Sequence, residues 1–263
     1  MTNPAALLDD LTAESEELDK LVSTLDDDGW RAPTPAPGWT IAHQIAHLAW
    51  TDRMSVLAAT DRVAFDSELA GALADPTGYP EAGLAAALAD PPAELLRGWR
   101  AGRKELVDAL LSVPAGTRLP WFGPPMSVAS MATARLMETW AHGQDIADTL
   151  AITRTPTARL RNVAHIGVRT VGFSFAVHTL PPPPEEFRVE LTGPDGELWT
   201  WGPEQATNRI TGPALDFCLL VTQRRNPADL AVEATGEHAL AWVPIAQAFA
   251  GPPGVGRHPG EYA

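Results

Sequence analysis

Leu7, Leu8, Leu11, Leu18, Leu21, Val22 and Leu25 recur at helical spacing through residues 5–28, and nine acidic residues occupy the other faces of the first 28 positions. The stretch Trp30 to Gly38 carries Pro33, Pro35 and Pro37, whose fixed φ and missing N–H end that helix. Thr40 caps a second helix that runs to about Thr60. His43 stands where a capping box would have Glu or Gln, so the box is expected to be absent. Residues 61–92 are Ala-rich, with Asp75-Pro-Thr-Gly-Tyr-Pro80 as punctuation, and predict short helical pieces and a loop. A third long helix follows Pro91-Pro92, with Leu95, Leu96, Trp99, Leu106, Val107, Leu110 and Leu111 as its buried side, and stops near Pro114. Gly116 to Pro125 is a rigid aromatic crossing around Trp121-Phe122, after which Ser127 caps a fourth long helix.

The pattern changes after Ile152. Arg159 to His178 reads as one amphipathic helix, and Pro181 to Pro184 form a stiff link. Phe187 to Leu191 alternates as a strand, Gly193-Pro-Asp-Gly196 is a turn, and Leu198 to Trp201 is the partner strand. Gly212 to Gln223 reads as helix, Asp229 to Glu233 as strand and Glu237 to Phe249 as the last helix, with residues 205–211 as a further strand. Residues 251–263, rich in Gly and Pro, read as a loosely held tail. The expected architecture is an α-helical four-helix bundle over residues 1–155, followed over residues 156–263 by a small α+β module with a leading helix.

Composition narrows the function classes. With 263 residues, 45% of them apolar, the chain can bury a full core. The net charge of −14, with Lys20 and Lys104 as the only lysines and the arginines scattered except for Arg224-Arg225, argues against a nucleic-acid or membrane-surface partner. The single cysteine, Cys218, excludes a disulfide framework and every Cys-rich zinc site; its apolar flanks mark a buried thiol of raised pKa, a poor nucleophile. No run reaches the roughly 18 apolar residues that would span a bilayer, and Met1-Thr-Asn-Pro lacks a basic flank. A cytoplasmic protein acting on small molecules, as monomer or homodimer, is the expectation.

The chemistry concentrates in Glu138-Thr-Trp-Ala-His142-Gly-Gln-Asp145 and in Gly38-Trp-Thr-Ile-Ala-His43-Gln-Ile-Ala-His47. Residues four apart on a helix share a face, so Glu138 and His142 point the same way, as do His43 and His47. Two imidazoles and one carboxylate are a ligand set of catalytic zinc, and His47, Glu138 and His142 are assigned to it. His43 competes with His47 as ligand, or else contacts substrate as a catalytic group, or lines the mouth of the pocket. Gln144 and Asp145 suit the outer layer that fixes a ligand's tautomer, while Asp148 fits a solvated helix end. Trp39, Trp50, Trp121 and Trp140 are expected to pack the bundle, with one of them walling a cavity. Arg224-Arg225 complements the end of an apolar helix, and the sharper reading makes one guanidinium a clamp for a substrate carboxylate.

These residues resemble the mycothiol-dependent maleylpyruvate isomerase family within the DinB-like metal-binding superfamily, on a branch described as metal-binding proteins. The matching features are Pro37-Gly-Trp39-Thr-Ile with Ala46-His47-Leu48, the run Glu138 to Ile146, and Ile210-Thr-Gly212-Pro-Ala-Leu-Asp216 through Arg224-Arg225. The resemblance implies a DinB-like four-helix bundle with an α+β module, zinc at His47, Glu138 and His142, and Arg224 in substrate handling. It also implies mycothiol as cosubstrate: the thiolate adds to a cis double bond, the resulting single bond rotates, and elimination gives the trans isomer, or the thiol is transferred to an electrophile. A metal-assisted hydrolase with His43 as general base and a non-catalytic metal or small-molecule binding protein are the alternatives.

Overall fold

The computed structural model describes residues 4–76, 78–254 and 256–262, and the chain divides into two compact units, Met1–Thr153 and Arg154–Ala263. The first is helical: α1 (Pro4–Val22), α2 (Asp27–Trp30), α3 (Ile41–Thr60), α4 (Arg62–Ala74), α5 (Gly78–Leu88), α6 (Pro92–Ser112) and α7 (Val128–Thr149), with β1 (Arg118–Leu119) and β2 (Met126–Ser127) paired as a short antiparallel hairpin before α7. The expected helix over 5–28 breaks at Val22, because Asp26 accepts from the Gly29 N–H and starts α2. The capping expectations at Thr40 and Ser127 diverge. Ser127 Oγ accepts from the Ser130 N–H at 3.1 Å. At Thr40 a reciprocal bond does form, since His43 Nδ1 accepts from the Thr40 N–H at 3.2 Å: an imidazole takes the place of the carboxylate.

The long helices α1, α3, α6 and α7 pack pairwise, α3 against both α6 and α7, and α1 against the same two. Helix α3 is surrounded, because α4 and α5 also lie on it. That is why it buries Gln44, Thr51, Asp52 and Ser55 as well as Ile41, Ile45, Leu48 and Met54. Leu18, Trp30, Ile45, Leu95, Trp99 and Ile146 belong to one core cluster. On α6 the expected stripe is too wide: Leu95, Leu96, Trp99, Leu106 and Leu110 are buried, but Leu111 is 57% exposed.

The proline-rich stretch before α3 is a tight loop. Ile41 N–H donates to Ala32 O at 3.1 Å and Thr34 N–H to Trp39 O at 2.7 Å, and Gly38 at φ +78° makes the turn. At the far end, α7 closes on Ala151 at φ +53°, with Ile152 N–H bonded back to Ala147 O. A side chain in that left-handed conformation is strained. Ala151→Gly is expected to stabilise the protein by about 1 kcal/mol, read as a higher denaturation midpoint at unchanged m-value.

The second unit holds α8 (Leu160–Arg169), α9 (Val171–Val177), β3 (Arg188–Thr192), β4 (Leu198–Trp201), β5 (Arg209–Pro213), α10 (Ala214–Val221), β6 (Glu233–Thr235) and α11 (Glu237–Trp242). Its four strands run in the order β4-β3-β5-β6, with β3 and β5 parallel and the other pairs antiparallel. Val189, Leu191 and Ile210 are buried with Phe217 of α10, which packs on α8. Gly212, at φ +148°, is required: a Cβ there would lie 2.5 Å from Ala231 O.

Several boundaries move. The helix expected over Arg159 to His178 is two helices that meet at Thr170. The strand expected at 229–233 lies at 233–235, because Asn226 and Pro227 open a 3-10 turn over Pro227–Asp229. The last helix stops at Trp242, and Pro244 turns the chain into Val243–Ile245. The described part of the tail is tied down, not loose: Asn226 Nδ2 donates to Arg257 O at 2.7 Å and the Gly260 N–H to the Asp229 carboxylate at 2.9 Å. Among the described residues no helix is long and apolar enough to cross a membrane.

Candidate metal site

Glu138 and His142 stand one turn apart on α7, and His47 faces them from α3. Two imidazole nitrogens converge on one carboxylate oxygen: His47 Nε2 lies 3.2 Å and His142 Nε2 3.3 Å from Glu138 Oε2. Among the described residues these three make up a group whose ligand atoms all lie within 4.8 Å of one another. Zinc–ligand bonds of about 2.0–2.1 Å at the tetrahedral angle put neighbouring ligand atoms about 3.3 Å apart, so two edges of that tetrahedron already have the right length.

The protonation pattern around His142 is fixed by a chain of hydrogen bonds that begins in the proline loop. Thr34 Oγ1 donates to Trp39 O at 3.0 Å, so its lone pairs receive the Gln44 amide Nε2 at 2.8 Å. Gln44 Oε1 is thereby turned toward His142 Nδ1, which must carry the proton and donate it. In neutral His142 the lone pair is then on Nε2, facing a carboxylate oxygen that also offers only lone pairs. Two acceptors at 3.3 Å repel unless positive charge stands between them, which either a second proton on the imidazole or a divalent metal supplies. Burial by itself would push the Glu138 carboxyl up, but the His142 and His47 imidazoles beside it outweigh this and hold it well below the usual carboxylate range.

Gln44 is the supporting residue that the sequence reading passed over. Of the residues suited to orient the ligands, Gln144 instead donates to Asp148 at 2.8 Å, and the Nδ1–H of His142 goes to Gln44. A signal existed, since Gln44 precedes His47 by three positions and so shares its side of α3. Gln44→Ala is expected to weaken zinc binding by roughly 10- to 100-fold, measured by competition with a chelating dye, with the fold retained.

His43 is outside the converging group. Its Nδ1 lies 2.7 Å from Thr40 Oγ1 besides accepting the Thr40 N–H, and burial lowers its pKa, so the ring is held neutral at the start of α3. Trp39 covers the ligands: its ring stacks on His142 at 5.9 Å and 14° and lies 5.5 Å from His47. Trp140 is buried, and Trp121 packs on Phe65.

One turn beyond the ligands lies a second group that the sequence reading missed. Asp52 of α3 and Arg135 of α7 are buried together, Arg135 Nε 3.3 Å from Asp52 Oδ1, and Arg135 Nε and Nη2 lack a hydrogen-bond partner among the described residues. Burial pushes the Asp52 carboxyl up to about 6, against the attraction of Arg135.

In the second unit, Arg224 follows α10 after a left-handed turn at Gln223, and its Nη1 donates to Thr222 O at 2.7 Å. That contact is the helix-end role expected of an arginine there. The Arg225 guanidinium lies over the Tyr262 ring at 5.5 Å. Cys218 is fully buried, which raises its thiol pKa well above the usual value and removes it as a nucleophile.

Comparison with known proteins adds independent findings. Residues 11–147 match the family model described as the mycothiol maleylpyruvate isomerase N-terminal domain. Residues 183–235, which include all four strands of the second unit's sheet, match a model described as wyosine base formation. Two uncharacterized proteins from strains of Mycobacterium tuberculosis are each 56% identical over 257 residues, covering 98% of this chain and 100% of their own length. Among solved structures, the crystal structure of the mycothiol-dependent maleylpyruvate isomerase superposes with a TM-score of 0.60 at 16% identity, over 89% of this chain and 93% of that one. A histidine-to-alanine mutant of that isomerase gives 0.59 at the same identity and coverage. At this identity the structural likeness is one of fold.

Proposed function

Because this chain belongs to the mycothiol maleylpyruvate isomerase family, we propose that it is a zinc-dependent cytoplasmic enzyme in which a low-molecular-weight thiol such as mycothiol attacks a small electrophile, in cis-trans isomerisation or in S-transfer. On this reading α1, α3, α6 and α7 form a DinB-like four-helix bundle within a metal domain of residues 1–155, and residues 156–263 form an α+β module with a leading helix. The observation that carries it is the convergence of His47 Nε2 and His142 Nε2 on Glu138 Oε2. Bound to these three residues, a divalent cation would supply the positive charge that strips a thiol of its proton at neutral pH, at a coordination position left open by three protein ligands.

The chain's own side chains do the rest. Glu138 brings negative charge to the shared point, and Gln44 keeps the His142 proton on Nδ1 so that Nε2 faces inward. Trp39 keeps water from one side of the imidazoles. With Nδ1 accepting the Thr40 N–H, neutral His43 carries its proton on Nε2, which suits it to donate a hydrogen bond to substrate. The same bond argues against the hydrolase reading, in which His43 would be a general base. Arg224 is assigned a part in substrate handling.

The test is turnover of an electrophile with and without added mycothiol, alongside metal analysis. Thiol-dependent turnover at about one zinc per chain is expected, and turnover indifferent to thiol would contradict the reading. Arg224→Ala is expected to lower turnover roughly 10- to 100-fold while metal content stays as in the wild type. Loss of metal in that variant would show that Arg224 acts on the fold.

A further inference from the structure

A cavity of about 370 Å³ opens between α1, α3 and α6, and none of the three converging ligands is in its lining. That volume is in the range of small-molecule sites. Leu11, Ser15 and Leu106 are buried and form its inner wall together with Asp52, which is 4% exposed. Among the described residues the Asp52 carboxylate accepts no hydrogen bond, since Arg135 Nε lies 3.3 Å away without completing one. A buried carboxylate left without donors is costly, so the inner wall calls for a ligand group that donates. Bases stand on the α6 side. Arg103 lines the cavity with Asp52, near enough for each to act on the other's pKa, and its Nη1 and Nη2 donate to Ser15 O and Asp19. Lys104, the next residue, is exposed and makes no ion pair among the described residues.

The lining carries three basic and three acidic side chains, Arg100, Arg103 and Lys104 against Glu16, Asp52 and Asp108. Asp19 and Arg135, which pair with lining residues, add one of each, so the charges balance. A lone amine would leave the bases unanswered, and a lone carboxylate would meet Asp52 at like charge. A dipolar ligand meets both. We propose that this cavity binds a small zwitterion of the α-amino-acid class with an apolar side chain. Its ammonium donates to Asp52, its carboxylate lies toward Lys104 and Arg103, and its side chain rests on Leu11 and Leu106. The site is separate from the metal ligands and stands whether or not the thiol-adding reading holds.

The test is equilibrium dialysis of L-norleucine against the whole protein, as purified and after treatment with EDTA, above pH 6 where the Asp52 carboxyl is ionised. Hexylamine and hexanoate, each carrying one of the two charged ends, serve as competitors. Saturable binding of norleucine is expected, equal in both samples and about tenfold or more tighter than that of either competitor. Thr12→Trp, which sets a ring at the cavity wall, and Lys104→Gln, which removes one base, should each weaken it about tenfold with an unchanged far-UV circular dichroism spectrum. Both positions are exposed, so neither substitution disturbs the core. No saturable binding, displacement by hexylamine or hexanoate at equal concentration, binding that disappears with EDTA, or wild-type strength in either variant would overturn the proposal.

Discussion

Glu138→Ala is expected to yield a folded protein that retains no zinc through dialysis and shows no thiol-dependent turnover. Glu138 Oε2 is the atom shared by both imidazoles, at 3.2 and 3.3 Å, and without it two neutral nitrogen donors from two helices are left with no charge between them. The loss should exceed the roughly 10- to 100-fold expected when an outer partner such as Gln44 is removed. Alanine favours helix, so α7 should persist, and an unchanged far-UV circular dichroism spectrum would separate metal loss from unfolding. His142→Ala should behave alike. Full zinc content in either variant would mean that the ion binds elsewhere.

The second large effect is on stability and lies one turn away. Asp52→Leu leaves the Arg135 guanidinium buried with neither counter-charge nor acceptor, and that group cannot shed its charge, so a loss of about 3–5 kcal/mol is expected in denaturant titration. Arg135→Met should cost less below pH 6, because Asp52 can take up a proton there. The sign of the wild-type pH dependence follows from the same carboxyl. Its folded pKa, about 6, is above its unfolded value of 3.8, so between these values the folded chain holds the extra proton. The Asp52 contribution to stability is therefore largest below pH 3.8, falls as pH rises toward 6 and is lost above it. Asp52→Asn should flatten this part of the profile. Replacing the pair together by Leu and Met should recover most of the loss, and failure to recover would show that the ion pair holds α3 and α7 in register.

How far the chain could be read in advance differs by kind of information. The Thr40 cap located α3 and the period of apolar residues located α6 closely, and the four-residue spacing put Glu138 and His142 on one face before any fold was known. Leu111 shows the limit of that reading, since periodicity marks a face without saying how wide a stripe the neighbours cover. The parallel pairing of β3 with β5 depends on contacts between strands separated in sequence, which no local pattern encodes. Pro244, by contrast, was an available stop signal that the apolar run through Phe249 hid. At the site, ligand types and spacing were legible, whereas Gln44 was not, because its task depends on how Thr34 and Trp39 fold back onto it. Asp52 and Arg135 were missed for the same reason: a buried ion pair across two helices looks, in one dimension, like two surface charges.

The central claim is that one divalent ion sits among His47, Glu138 and His142 with a position open to sulfur. X-ray absorption at the zinc edge of the reconstituted protein, before and after addition of a small thiol, tests it most directly. The prediction is about one zinc per chain in a shell of nitrogen and oxygen at about 2.0–2.1 Å, with one sulfur appearing at about 2.3 Å when the thiol is added. A shell that already has four protein ligands and takes up no sulfur, or a protein that binds no zinc at all, would contradict the account.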